Sequence, residues 1–180
     1  MTAKSFVISP PSPDEYAPFY ASYVSLAGGG DIVATMEKQL HELTAFFSAR
    51  NEQDAEFRYA PGKWSIKEIV GHVIDTERIF AYRALRISRN DKTPIEGFEQ
   101  DDYVRFGPFG NCRLADLVEE FGHVRRSNLA LFRSLDKDAW MRRGTASNKE
   151  VTVRALAYML VGHAAHHRNV LEQKYLPQLA

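Results

Sequence analysis

The stretch WSIKEIVGHVIDTERIFAYRALRIS, Trp64 to Ser88, decides how the rest of the chain is read. Ser65 is followed three residues later by Glu68, a pairing in which each side chain satisfies an orphan backbone donor of a helix's first turn. Ile66, Ile69, Val70, Val73, Phe80, Ala84 and Ile87 then recur at three-and-four spacing and form one apolar face. The spacing predicts a long amphipathic helix, and such a helix needs partners to cover that face.

Three further segments supply them. Asp31 is a predicted N-cap for a helix running to about Ala49, with Ile32, Val33, Met36, Leu40, Leu43 and Phe47 on one side. A third helix is predicted from about Cys112 to Leu135, carrying Leu114, Leu117, Val118, Phe121, Leu131 and Leu135. The fourth starts near Thr152 and ends before Pro177, with Leu156, Leu160, His163, His167 and Val170 along an inward seam. No stretch alternates like a strand over any length. The expected fold is all-α, a four-helix bundle.

The connection from Arg89 to Asn111 is long for a bundle. If the second and third helices point the same way, the chain must return along the bundle, about 35 Å for such a helix. Extended residues of that number reach roughly 70 Å, so the trip is feasible. The reading is up-down-down-up, with the fourth helix antiparallel to the second. Residues 1–30 read as an extension broken by Pro10, Pro11, Pro13, Pro18 and Gly28–Gly30, and packed on the body through Phe19, Tyr20 and Tyr23. Residues 31–180 read as one bundle domain.

Composition removes several function classes. The 23 basic and 23 acidic side chains cancel, which argues against nucleic acid or an anionic membrane as partner. The opening MTAKSFVISPPSPDEY has no apolar h-region, and no run approaches the roughly 18 apolar residues of a membrane span. Cys112 is the one cysteine, which suits a reducing compartment. Together these features lead to the expectation of a cytoplasmic protein. The sequence has no phosphate-cradling glycine loop, no Gly-x-Ser-x-Gly and no His-Glu-x-x-His.

The chemistry gathers on histidines. His163 and His167, four apart, share one helical face and could chelate a divalent ion. They occupy seam positions where a leucine would pack at lower cost, and a buried imidazole without a partner loses roughly 2 kcal/mol or more. Either they are core histidines bonded to side chains or water, or they are metal ligands. His72 is the third candidate. In antiparallel helices it and His167 lie at the same depth, each about 10 Å from one end of the bundle. Its helical angle puts it about 100° from the middle of the apolar face, at a seam opening to a cleft. His41 and His123 are predicted to face solvent. His166 sits at the flank of the fourth helix, beside the pair, Arg168 or solvent. Asp75 and Glu77 read as surface or ion-pair residues, with orientation of an imidazole as their functional alternative. Cys112 reads as packing near a helix start. The loop EGFEQDDYVRFGPFG, residues 96–110, walls a pocket or covers the bundle end.

KWSIKEIVGHVIDTERI, Lys63 to Ile79, and GHAAHHRNVLEQKYLP, Gly162 to Pro177, resemble the DinB/YfiT-like superfamily, DinB-2 group, over roughly residues 31–180. The resemblance rests on the lone histidine of the second helix, the His-x-x-His-His of the fourth and the long crossover. It implies an up-down-down-up bundle, often a homodimer, with His72, His163 and His167 holding zinc, nickel or a similar divalent ion. It also implies relatives such as bacillithiol S-transferases, mycothiol-dependent maleylpyruvate isomerases and the N-terminal domain of ergothioneine synthases. Two expectations follow. One is an enzyme whose three-histidine centre keeps an open position and activates a thiol or water toward a small-molecule substrate, which could itself involve a low-molecular-weight thiol. The other is a non-catalytic bundle that binds a metal, a ligand or a partner.

Overall fold

The fold, described here from a computed structural model over residues 7–179, is built on four long helices. They are α2 (Ile32–Ser48), α4 (Ile66–Ser88), α6 (Leu114–Arg133) and α8 (Val153–Val170). Short helices α1 (Ala21–Leu26), α3 (Glu52–Ala55), α5 (Gln100–Phe106) and α7 (Lys137–Met141) fill the connections. The predicted caps form. Asp31 accepts from the Val33 amide at 2.9 Å. Ser65 and Glu68 exchange bonds of 3.2 and 2.7 Å, and Thr152 accepts from the Ala155 amide at 3.1 Å. Each such cap is worth about 1 kcal/mol and fixes where its helix begins.

Side-chain pairings set the helix directions. Trp64, before α4, meets Tyr175 beyond the end of α8, whereas Phe80 meets His163, so α4 and α8 run antiparallel. Gln39 bonds to the Val161 carbonyl and Glu42 pairs with Arg168, so α2 and α8 run parallel. Phe47 packs on Phe121 while Met36 meets Arg125, so α2 and α6 are antiparallel. The order is up-down-down-up, the one the long crossover suggested.

One buried polar network ties all four helices at a common level. Arg125 of α6 is fully enclosed and grips Glu77 of α4 with two bonds, of 3.0 and 2.5 Å. Asn128 adds a bond of 2.9 Å to the same carboxylate. From its other side Arg125 donates to Gln39 of α2 at 2.9 Å, and Gln39 donates to the α8 carbonyl of Val161, also at 2.9 Å. Glu77 is therefore a core residue rather than the surface group its sequence context suggests. Its neighbours in space, not in sequence, make the charge tolerable.

Four local readings change. The third helix starts at Leu114 and ends at Arg133, because Cys112 and Arg113 are extended after a 3₁₀ turn at Phe109–Asn111. Cys112 thus lies outside the helix, half-buried, with Sγ 3.5 Å from the Pro108 carbonyl. A two-stranded hairpin, β1 (Arg143–Ala146) and β2 (Lys149–Thr152), precedes α8 where no strand was expected. Its strands have four residues each, too short to display alternation, and its turn uses left-handed Ser147 and Asn148 in place of a glycine. The crossover is not simply extended: it contains α5, and Ile95 pairs with β1 through bonds to Thr145 and Ser147 of 2.9 Å each.

The N-terminal segment lies against α8. The Tyr158 hydroxyl is 2.9 Å from the Ile8 carbonyl, and buried Glu15 accepts from Thr152 at 2.8 Å and from Arg154. Residues 1–6 of the expected extension fall outside the described residues. At Gly162 a Cβ would stand 1.7 Å from the Tyr23 carbonyl oxygen, so only glycine lets α1 pack this closely on α8.

Candidate metal centre

His72 comes from the second turn of α4, and His163 and His167 come from successive turns of α8. Antiparallel packing sets them level. The Nε2 atoms of His72 and His163 are 2.9 Å apart, those of His163 and His167 are 3.1 Å apart, and the three ligand atoms lie within 4.8 Å of one another. His72 and His163 are buried; His167 is partly so. His72 is thus deeper than its angular position on α4 suggests, because Trp64 covers it with ring centroids 4.8 Å apart. Trp64 is held by its carbonyl, which accepts from the Tyr175 hydroxyl at 2.7 Å. A π turn at Leu171–Tyr175, continuing α8, brings that tyrosine around.

The arrangement has a definite chemical preference. A neutral imidazole Nε2 carries either one proton or one lone pair, so His163 Nε2 can complete one good hydrogen bond and not two. A cation satisfies all three lone pairs together. Nitrogens bound at the usual zinc distances of about 2.0–2.1 Å stand roughly 3 Å apart, which matches the His72–His163 and His163–His167 spacings. The residues present therefore fit a divalent ion.

Burial keeps the lone pairs available. It lowers the His72 pKa from 6.5 to about 4, assisted by nearby His166. Burial, followed by the neighbouring imidazoles, holds His163 and His167 well below the usual histidine range. The sign for stability follows directly. Unfolded histidine takes up a proton near pH 6.5 and the folded rings resist it, so stability is retained above pH 6.5 and lost as pH falls toward 4. Metal-free protein is expected to lose roughly 1 kcal/mol per pH unit over that window through His72, with His163 and His167 acting in the same direction. Thermal melts from pH 7.5 to 4.5 check this, and a flat midpoint below pH 6.5 contradicts it.

The other sequence candidates separate from the cluster. His41 and His123 are exposed. His166 is partly buried, its ring 5.4 Å from Tyr23 and 5.1 Å from His167. Asp75 pairs loosely with Arg78 at 3.7 Å, and burial raises its pKa. Neither Asp75 nor Glu77 hydrogen-bonds a cluster imidazole. Two cavities flank the cluster. One, of about 280 Å³, is lined by His72, His163, Thr76 and Phe98; the other, of about 310 Å³, by Trp64, Asp101, His166 and His167. The 96–110 loop therefore walls pockets. Sequence reasoning missed Trp64, Tyr23 and Thr76. Thr76, one turn beyond His72, was detectable from spacing; Tyr23 was not, because only the fold carries α1 to His163.

The fold is thus a helical bundle in which two antiparallel helices converge three imidazoles that could hold a metal ion beside a cavity. The chain belongs to the DinB superfamily, whose profile matches residues 35–171. Among solved structures it is similar to YfiT from Bacillus subtilis, described as a probable metal-dependent hydrolase with an unusual four-helix bundle topology. That likeness has a TM-score of 0.67 at 12% identity and covers 91% of each chain, so it is a likeness of fold. No curated protein matches the chain. No helix among the described residues is long and apolar enough to cross a membrane.

Proposed function

We propose that this chain is a metal-dependent enzyme acting on a small molecule, with His72, His163 and His167 holding a divalent ion, zinc or nickel. The observation that carries the reading is the meeting of three Nε2 atoms at spacings that hydrogen bonding alone cannot satisfy. Such an ion, when bound, lends Lewis acidity that makes water or a thiol nucleophilic near neutral pH.

The chain's own groups do the rest. Three neutral imidazoles leave the full positive charge of the ion in place. Trp64 covers His72 and stacks with His167 at 6.4 Å, while Tyr23 lies perpendicular to His163 with ring centroids 5.4 Å apart, and these rings fix the orientation of the imidazoles. The cavity beside His72 and His163 admits the substrate. Hydrolysis is the leading reaction, supported by the description of YfiT. Thiol transfer is the second reading, favoured by the second cavity on the His167 side, which has room for a co-substrate.

The test uses protein purified without a nickel column, stripped by chelation and resupplied with zinc or nickel. Hydrolysis of p-nitrophenyl acetate and conjugation of cysteine to 1-chloro-2,4-dinitrobenzene are then followed. Metal is expected to restore one of the two rates by more than about tenfold, equivalent to about 1.4 kcal/mol of barrier. A chain that holds one ion and accelerates neither reaction is instead a non-catalytic metal-binding bundle.

A further inference from the structure

Thr76 stands one turn beyond His72 on α4 and is 3% exposed, and its hydroxyl has no hydrogen-bond partner among the described residues. A threonine inside a helix commonly returns its hydroxyl to the carbonyl four residues back. Here that carbonyl belongs to His72, and the bond is not made. An orphaned buried hydroxyl is destabilising, which points to a partner that arrives from outside the chain.

A cavity beside Thr76 has room to receive that partner. Thr76 shares the wall of the cavity of about 280 Å³ with His72 and His163. Most of the remaining wall is aromatic: Tyr20, Tyr23, Phe80 and Phe98. These rings are held in place. Tyr20 meets Phe80 edge to face at 6.1 Å. The buried Arg83 guanidinium lies 5.8 Å from the Phe80 centroid and 5.9 Å from that of Phe98. Arg83 is in turn anchored by the Glu96 carbonyl at 3.1 Å and the Ser147 hydroxyl at 2.9 Å. Glu99 on the same wall disfavours an anionic ligand. The result is a slot walled largely by rings, with Glu99 and Gln100 also on its wall and the buried Thr76 side chain beside the imidazoles, a mixture of aromatic surface and a few polar groups that suits a small molecule.

We propose that this slot binds a neutral aromatic acyl compound, an ester or amide, whose ring lies among the aromatic walls and whose carbonyl oxygen accepts a hydrogen bond from Thr76 Oγ1. The inference rests on the metal-dependent reading above and adds the substrate class to it. Thr76 is then the residue that orients the carbonyl, and the rings select the body attached to it.

The test measures binding rather than turnover. Zinc-loaded wild type is titrated calorimetrically with benzohydroxamic acid and with acetohydroxamic acid, which share the chelating head and differ in the aromatic body. Zinc content is measured on every sample. Benzohydroxamic acid is expected to bind more than about tenfold tighter, a difference of about 1.4 kcal/mol. Thr76→Val, close in shape but without the hydroxyl, should weaken it about tenfold, and Thr76→Ala should do the same, so the test does not depend on one variant folding. Thr76→Ser should stay within about twofold of wild type, because it keeps the donor. Equal affinity of the two compounds, or zinc-loaded Val and Ala variants that bind like wild type, overturns the inference and leaves the metal centre standing. A wild-type chain that takes up neither zinc nor nickel overturns the metal-centre reading itself.

Discussion

A His163→Ala chain is expected to lose divalent-metal affinity by more than about 100-fold, since even an outer-sphere partner of a metal ligand is typically worth 10–100-fold. His163 is the choice because its Nε2 is the middle of the three, within 3.1 Å of both others. Elemental analysis of protein purified without chelating resin reads the effect directly. Zinc at 100 times its dissociation constant should stabilise the wild type by about 2.7 kcal/mol, and that rise in melting temperature should vanish in the variant. His166→Ala is the control. That ring packs on Tyr23 and His167 and is not part of the three-nitrogen cluster, so metal content should stay near wild type. Equal metal in wild type and His163→Ala defeats the proposed centre.

The largest effect on stability is expected from Glu77→Leu. This change leaves Arg125 fully enclosed with its charge unpaired, a situation that costs about 3–5 kcal/mol. At 2–4 °C per kcal/mol for a chain of this size, the melting temperature should fall by roughly 10 °C. Combining it with Arg125→Met removes both charges and should recover more than half of the loss, because the cost lies in the orphan rather than in the missing pair. Calorimetric melts of the two single variants and the double variant form the cycle. Additive losses would show that the pair is not the source of the penalty. The network passes through Gln39 to the Val161 carbonyl, two residues before His163, so Glu77→Leu should also weaken metal binding by loosening α8 against α4.

Much of the fold was legible because it rests on local rules. Ser65, Glu68, Asp31 and Thr152 announce helix starts through bonds made within four residues, and the apolar spacing of Trp64–Ser88 is set by one helix's own geometry. The up-down-down-up order was legible for a different reason, since so long a connection is called for when the chain must return along the whole bundle and its residues have the reach to do so. The hairpin was not, because its strands are too short to display alternation, its turn carries no glycine, and β1 is also held by Ile95, which lies far earlier in the sequence.

At the site the same division holds. The chain alone determined that His163 and His167 share a face, because a helix repeats every 3.6 residues, and the antiparallel order set His72 at their depth. Tertiary structure decided what surrounds them. It buried Glu77 against Arg125, carried Tyr23 over Gly162 to His163, and left the Thr76 hydroxyl without a partner among the described residues, beside a cavity. Each of these depends on atoms from separate helices meeting within a few ångströms, and residue order along a chain specifies periodicity and reach but not which distant side chain closes a contact.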